Sequence, residues 1–172
     1  MELIRWIERK FDFSFPVGIY PAVLERLRGT PARLEKMLMG VSHEILTMRI
    51  GSNWSIQEHA GHLLDMDEIH EKRLNQYIAN MNILIPADMS NKKTYLAEHN
   101  YKKIKVILKQ FIEARYSFVN KAEGVDDTII SRTAIHPRLN KEMRLVDMLW
   151  FTAEHDDHHL AVMRKLLNNA LK

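Results

Sequence analysis

Two histidines near the end of the chain have the spacing of a metal-binding pair. His155 and His159 lie four residues apart within an apolar-periodic segment, so on an α-helix they lie one turn apart on the same face. Two imidazoles in that arrangement can bind one metal ion. A third nitrogen must come from elsewhere, and the segment 54–65 supplies two candidates, His59 and His62, just after a helix-start signal. The sequence therefore predicts a helical protein that brings these two segments together around a metal.

An alternative is that these histidines are neutral core residues, each hydrogen-bonded to a backbone or carboxylate group. His155 and His159 lie about 40° apart around the helix, on one seam. Each would need its own polar partner, because a buried polar group without one costs about 1–3 kcal/mol. A single shared ion satisfies both rings. The residues alone leave the metal hypothesis and the core hypothesis open.

The choice between His59 and His62 is open as well. The apolar stripe of the helix that follows Trp54 is centred nearer to His59 than to His62, which favours His59 as the inward-facing residue. His62 lies at the edge of the stripe. That position suits a ligand beside a solvent-reachable cleft, because a catalytic metal needs an open coordination position. Asp65 is a candidate hydrogen-bond partner for His62.

The other residues of interest are predicted to have supporting, structural or solvent-exposed positions. Asp156 flanks the seam and is predicted either to orient a ligand imidazole or to be a solvated carboxylate. Trp54 is predicted to be a hydrophobic staple or a core residue rather than a substrate contact. The residues predicted to be exposed lie in connectors or on outward helix faces: His43, His99, His136, Glu154 and Asp157.

The composition is that of a globular protein and restricts its class. The chain has 172 residues, 46% hydrophobic and 27% charged, which predicts one domain spanning residues 1–172. It has no cysteine, so disulfides and thiolate nucleophiles of its own are excluded. The net charge of +3 is scattered along the chain, which disfavours a nucleic-acid partner. Neither a signal peptide nor an apolar run of about 20 residues is present, so we expect a cytoplasmic protein that does not enter a membrane.

Helix-start and helix-stop residues divide the chain into four long helical segments. Gly29-Thr30-Pro31 interrupts the first, because proline cannot donate to the preceding turn. Ser55-Ile56-Gln57-Glu58 has the pattern of a capping box. The predicted helical segments are 16–28 with 31–39, a short turn at 43–47, 56–81, 91–122 and 143 onward. The stretch 125–142 favours an irregular crossover more than a sheet. The predicted fold class is therefore all-α: a four-helix bundle with a broken first helix and a long crossover before the last helix.

Two stretches of the chain resemble the DinB-like (DinB/YfiT) superfamily of bacterial metal-binding four-helix bundles. They are Trp54-Ser-Ile-Gln-Glu-His-Ala-Gly-His62-Leu-Leu-Asp65 and Ala153-Glu-His155-Asp-Asp-His-His159-Leu. The likeness extends to the order and lengths of the helices. In that family three histidines hold a divalent ion, and the matching positions here are His62, His155 and His159. The resemblance therefore implies His62, and not His59, as the third ligand.

The resemblance also implies a function. Family members of known activity are often metal-dependent transferases or isomerases that use low-molecular-weight thiols, others have been described as hydrolases, and homodimers are common. We therefore expect an enzyme whose divalent ion (Zn²⁺, Ni²⁺ or Fe²⁺) activates water or a small-thiol cosubstrate for transfer or hydrolysis of a small molecule. With no cysteine in the chain, any sulfur nucleophile must be a cosubstrate. The alternative is a non-catalytic, metal-binding dimer with a structural or regulatory role, whose ion a fourth protein ligand would close off.

Overall fold

Helices account for most of the computed structural model, which describes residues 3–171. The α-helices are α1 (Tyr20–Arg28), α2 (Thr30–Leu38), α3 (His43–Thr47), α4 (Ile56–Ile78), α5 (Lys92–Leu96), α6 (Ile104–Glu123), α7 (Asp127–Ile130) and α8 (Leu145–Ala170). Two strands, β1 (Thr133–His136) and β2 (Lys141–Arg144), precede α8. None of the helices in this part of the chain has the length and apolar character needed to cross a membrane.

The bundle consists of α4, α6, α8 and the pair α1 and α2, which together form its first helix. α4 packs against α6 and α8, and both α1 and α2 also pack against α6 and α8. Gly29 lies between α1 and α2, and Pro31 occupies the first turn of α2. The predicted four-helix bundle with a broken first helix is confirmed, as is the long connection before the last helix.

The start of α4 is fixed by the predicted capping box. Ser55 Oγ accepts a hydrogen bond from the backbone N–H of Glu58 at 3.1 Å, and Glu58 Oε2 accepts one from the backbone N–H of Ser55 at 2.9 Å. Arg49 forms an ion pair with Glu58. The Glu58 carboxylate therefore accepts the free N–H at the helix start and also neutralises the charge of Arg49. Because the first turn is fixed, the direction of every later side chain on α4 is fixed with it.

A charged layer separates two apolar clusters in the core. The clusters contain, among others, Leu74, Phe118 and Leu149 in one and Leu63, Phe111 and Leu160 in the other. Between them lies Arg115 of α6, which is fully buried. Its Nη2 donates to Asp67 Oδ1 at 2.8 Å and to Asp156 Oδ1 at 3.1 Å. Both predictions for Asp156 are therefore wrong: this carboxylate is buried, and it accepts from a guanidinium that joins α4, α6 and α8.

The third long helix begins later than predicted. A helix from 91 onward is replaced by α5, a 3-10 turn at His99–Tyr101, and then α6. Glu98 has a φ of 48°, a left-handed conformation that interrupts a right-handed helix. Gln57 Nε2 donates to the carbonyl oxygens of His99 and Lys102 at 2.6 and 2.8 Å. These bonds hold the interrupted segment against α4.

The connection before α8 contains a small sheet. β1 and β2 pair antiparallel, with Thr133 opposite Arg144 and His136 opposite Lys141, so the prediction of an irregular crossover is wrong for this part. Asn140 has a φ of 48°, and its N–H donates to the His136 carbonyl at 2.9 Å. The turn closes on a left-handed residue that is not glycine, and this is why the turn residues gave no clear hairpin signal.

Candidate metal centre

Three histidine side chains from two helices meet inside the bundle. His62 belongs to α4, and His155 and His159 lie on successive turns of α8. Nε2 of His155 lies 3.4 Å from Nε2 of His62 and 3.1 Å from Nε2 of His159. One ring nitrogen of each residue lies within 4.8 Å of one nitrogen of each of the others. All three residues are buried. The structure thus brings together the three positions that the two sequence motifs contain.

The nitrogens have the spacing and the protonation state that a divalent cation requires. Two nitrogens that each lie about 2.0–2.1 Å from a tetrahedral zinc ion are about 3.3 Å apart, close to the two Nε2 separations found here. Burial lowers the pKa of His62 to about 4 and holds the pKa values of His155 and His159 well below their ordinary value. The rings are therefore neutral at pH 7, which is the form in which imidazole binds metals.

Neighbouring side chains orient two of the three rings. Nδ1 of His62 lies 3.1 Å from Thr94 Oγ1, and Nδ1 of His159 lies 2.8 Å from Nδ1 of His59. When the ring hydrogen is on Nδ1, the lone pair of Nε2 is free to bind a metal. This is the usual arrangement for a ligating imidazole. His155 packs edge-on against Trp6, with ring centroids 5.1 Å apart.

His59 lies beside the group of three. Periodicity favoured His59 over His62 as the inward-facing residue of α4, yet His59 is partly exposed and His62 is buried. α4 as a whole packs more extensively against α6 than against α8. A residue at the edge of its apolar stripe, such as His62, can therefore be the one that faces α8. His59 contacts His159 through Nδ1, so it is placed to support one of the three rings.

Single alanine variants are expected to separate the roles of His62 and His59. If the three histidines hold a metal as the resemblance implies, His62→Ala should release it on mild dialysis, because the variant removes one of the three nitrogens. His59→Ala should keep the metal, with an affinity about 10–100-fold lower, since it removes only the hydrogen-bond partner of His159. Elemental analysis after dialysis against graded chelator concentrations measures both. Full occupancy in His62→Ala together with an empty His59→Ala would reverse the assignment.

Two histidines that were predicted to be exposed are buried. His99 is 1% exposed and His136 is 2% exposed. The ring of His99 lies directly over Gly61, where an added Cβ would come within 2.2 Å of it, and its Nε2 contacts Asp65 Oδ2 at 2.8 Å. Asp65 therefore partners His99, and the prediction that it partners His62 is wrong. Gly61, a glycine inside a helix, was the sequence feature that could have indicated the close approach of the His99 ring.

The two carboxylates on the outer side of α8 are also less exposed than predicted. Glu154 forms ion pairs with Arg9 and Arg26, and Asp157 forms ion pairs with Arg26 and Arg33. Both acidic residues are partly buried, so the prediction of fully exposed positions is wrong. These ion pairs attach the N-terminal segment, α1 and α2 to the helix that carries His155 and His159.

A cavity of about 240 Å³ lies against the histidine group. Its lining includes His62, His155 and His159, and aromatic side chains from three parts of the chain complete its walls: Trp6, Trp54 and Phe151. The Trp54 ring packs on His62, with centroids 4.8 Å apart. Trp54 was predicted to be only a staple or core residue, and it also forms part of the cavity wall. The histidine nitrogens are thus next to a space that can hold a small molecule.

The chain belongs to the DinB superfamily, whose sequence profile matches residues 26–163. This match includes both histidine motifs, begins near the end of α1 and ends within α8, so it covers most of the bundle. It confirms the family that the two stretches around His62 and His155 resemble. A search of curated protein sequences finds no match.

Two solved structures share the fold. YfiT from Bacillus subtilis, described as a probable metal-dependent hydrolase with an unusual four-helix bundle topology, is 18% identical, with a TM-score of 0.82 over 95% of this chain and 94% of that one. A mycothiol-dependent maleylpyruvate isomerase is 8% identical, with a TM-score of 0.66 over 85% of this chain and 60% of that one. At these identities the likeness establishes the architecture.

Proposed function

We propose that this chain is a metal-dependent enzyme in which His62, His155 and His159 hold one divalent ion, Zn²⁺, Ni²⁺ or Fe²⁺. The observation that carries the proposal is the meeting of three neutral Nε2 atoms at the wall of a cavity. A structural zinc site is closed by a fourth protein ligand. Among residues 3–171 the group contains three histidines and no fourth ligand, which favours a catalytic site over a structural one.

The reaction we propose is transfer involving a low-molecular-weight thiol. When bound, a divalent ion supplies Lewis-acid chemistry: it lowers the pKa of a water or thiol ligand and polarises a substrate oxygen. The chain has no cysteine, so the thiol is a cosubstrate that enters the cavity. The fold shared with a mycothiol-dependent isomerase supports this class. The homodimer that the family resemblance implies is part of the same proposal.

The chain's own residues position the reacting groups. Thr94 and His59 hold the rings of His62 and His159 through their Nδ1 atoms, so that Nε2 of each ring remains directed at the third histidine. Trp6 and Trp54 line the cavity with apolar surface. An apolar wall limits the water around the reacting atoms, which strengthens electrostatic interactions at the site.

Hydrolysis is the second candidate, and a specific observation supports it. YfiT, which shares the fold over nearly its whole length, is described as a probable metal-dependent hydrolase. The same three imidazoles and the same cavity would serve a water nucleophile as well as a thiol. The two candidates differ in one requirement: transfer needs an added thiol, and hydrolysis proceeds without one.

Turnover assays are expected to distinguish these functions. Metal-loaded protein is incubated with monochlorobimane and a panel of cellular thiols, and separately with a chromogenic ester and no thiol. We expect conjugation that requires both the metal and a particular thiol, and that is absent from His155→Ala. His43→Ala, which changes an exposed histidine outside the cavity, should retain the wild-type rate. Ester cleavage without thiol would favour hydrolysis, and no metal-dependent turnover of either kind would favour the non-catalytic module.

A further inference from the structure

The cavity beside the histidine group contains two guanidinium groups that lack a carboxylate partner. Arg73 of α4 and Arg138 of the turn between β1 and β2 both line it. Within residues 3–171 neither arginine forms an ion pair, although most other buried or half-buried arginines do. Arg73 is 2% exposed. A buried cation without a counterion is costly, because its desolvation is not repaid by an opposite charge.

The hydrogen bonds of these arginines leave donors unused. Nε and Nη2 of Arg73 both donate to the carbonyl of Ile85, at 3.1 and 3.0 Å. Three of its five N–H groups, two on Nη1 and one on Nη2, therefore have no acceptor among the described residues. Nη2 of Arg138 is buried without a hydrogen-bond partner among the described residues. The Arg138 guanidinium also lies over the rings of Trp6 and Phe151, 5.6 and 5.4 Å from their centroids. These contacts hold the Arg138 guanidinium in place, while its Nη2 has no partner among the described residues.

His136 adds a third unused donor to the same cavity. Its Nδ1 accepts a hydrogen bond from the backbone N–H of Leu139 at 3.3 Å, so in the neutral ring the hydrogen is on Nε2. Nε2 is buried and has no acceptor within residues 3–171. Burial, followed by the charges of Arg73 and Arg138, lowers the pKa of His136 to about 3. The ring is therefore a neutral donor next to two cations.

The acidic side chain in this lining is already engaged elsewhere. Asp88 is the carboxylate among the lining residues. Its Oδ1 accepts from the backbone N–H and the hydroxyl of Ser90, at 2.9 and 2.6 Å, and its Oδ2 accepts from the backbone N–H of Lys92 at 3.0 Å. Asp88 thus caps its own loop. Within residues 3–171, therefore, no carboxylate that lines the cavity balances the charges of Arg73 and Arg138.

We propose that Arg73, Arg138 and His136 form an anion subsite that binds the carboxylate of a small organic acid within the cavity. Guanidinium groups match the geometry of carboxylates, and the remaining donors suffice for the two oxygens of a carboxylate. The apolar body of the acid lies against Trp6 and Phe151, which places the rest of the molecule towards His155. This assignment rests on the proposed function, since it names the substrate class of the same site.

Ligand-observed NMR titration of the full-length chain tests the subsite. The probes are hexanoate, its neutral isostere hexanamide, and butylphosphonate, each added to protein as purified and to protein treated with a chelator. We expect hexanoate to bind the chelator-treated protein about tenfold or more tightly than hexanamide, because the charged hydrogen bonds are absent from the amide. Arg138→Gln should weaken hexanoate by about the same factor. Arg28→Gln, which removes the same charge from a partly exposed position outside the cavity, should leave it unchanged.

Three results of these titrations would overturn the subsite or its preference for a carboxylate. Equal affinities for hexanoate and hexanamide in the wild-type chain would overturn the subsite without reference to any variant. Unchanged hexanoate affinity in folded Arg138→Gln would also overturn it, and tighter binding of butylphosphonate would overturn the choice of a carboxylate. Because the chelator-treated protein carries no ion, failure of the metal proposal would not affect these titrations. The two proposals can therefore fail separately.

Discussion

The double variant His155→Ala, His159→Ala is expected to lose the metal and, with it, all metal-dependent turnover. It removes two of the three Nε2 atoms that lie within 4.8 Å of one another. Loss of a hydrogen-bond partner alone typically weakens a metal site about 10–100-fold, so loss of two direct ligands should weaken it by more than about 100-fold. Elemental analysis of dialysed protein measures the metal content per chain.

The control for this variant is His43→Ala, since His43 is exposed and outside the cavity. Circular dichroism should show that the double variant keeps its helices, because the apolar clusters on either side of the site are untouched. Equal metal content in the wild type, the control and the folded double variant would mean that the ion binds elsewhere. The three-histidine proposal would then be abandoned.

Arg115→Met is expected to cause the largest loss of stability among single substitutions in the bundle. It leaves Asp67 and Asp156 buried in one layer without the guanidinium that they share. Removing one member of a buried ion pair typically costs about 3–5 kcal/mol, which is a large part of the stability of a domain of this size. Urea unfolding followed by circular dichroism measures the free energy difference.

The stability loss in Arg115→Met should grow as the pH rises. Burial, opposed by Arg115, already raises the pKa of Asp67 to about 6, so removing Arg115 raises it further. A carboxyl group whose pKa is higher in the folded state loses stability as the pH rises from its unfolded pKa, about 3.9, through its folded pKa. Arg28→Met, which removes a partly exposed arginine from its pair with the exposed Glu123, serves as the control. If Arg115→Met lowered the free energy of unfolding by less than about 1 kcal/mol, as is typical of surface ion pairs, Arg115 would not be a stabilising partner of Asp67 and Asp156.

The helices of the bundle could be predicted because local residues determine them. The capping box at Ser55 and the break at Gly29 each depend on a few neighbouring residues, and the apolar spacing of α8 is regular over six turns. The pairing of His155 with His159 follows from the same helical geometry. Local sequence alone could not select His62 over His59, because that choice depends on which edge of α4 faces α8; the family resemblance supplied it.

The charged layer had a sequence signal that could have been found. Asp67 and Arg115 each interrupt the apolar seam of a predicted helix, and Asp156 flanks the seam of another. One positive and two negative residues at such positions suggest that they pair with one another. Which helix faces which is a tertiary property, so the sequence could not state the pairing. His99 and His136 were missed for a different reason. His99 follows Glu98, and His136 precedes the turn that contains Asn140; both Glu98 and Asn140 have left-handed backbone conformations. Without glycine at these positions, neither turn has a clear sign in the sequence.

X-ray absorption spectroscopy of the zinc-loaded protein is the decisive measurement for the three-histidine site, because it reports the atoms bound to the ion itself. We expect three imidazole nitrogens at about 2.0–2.1 Å, one position left for an exchangeable ligand, and fewer imidazoles in His62→Ala. A coordination shell made only of oxygen atoms, or one identical in the wild type and His62→Ala, would contradict the proposal that α4 and α8 share a metal.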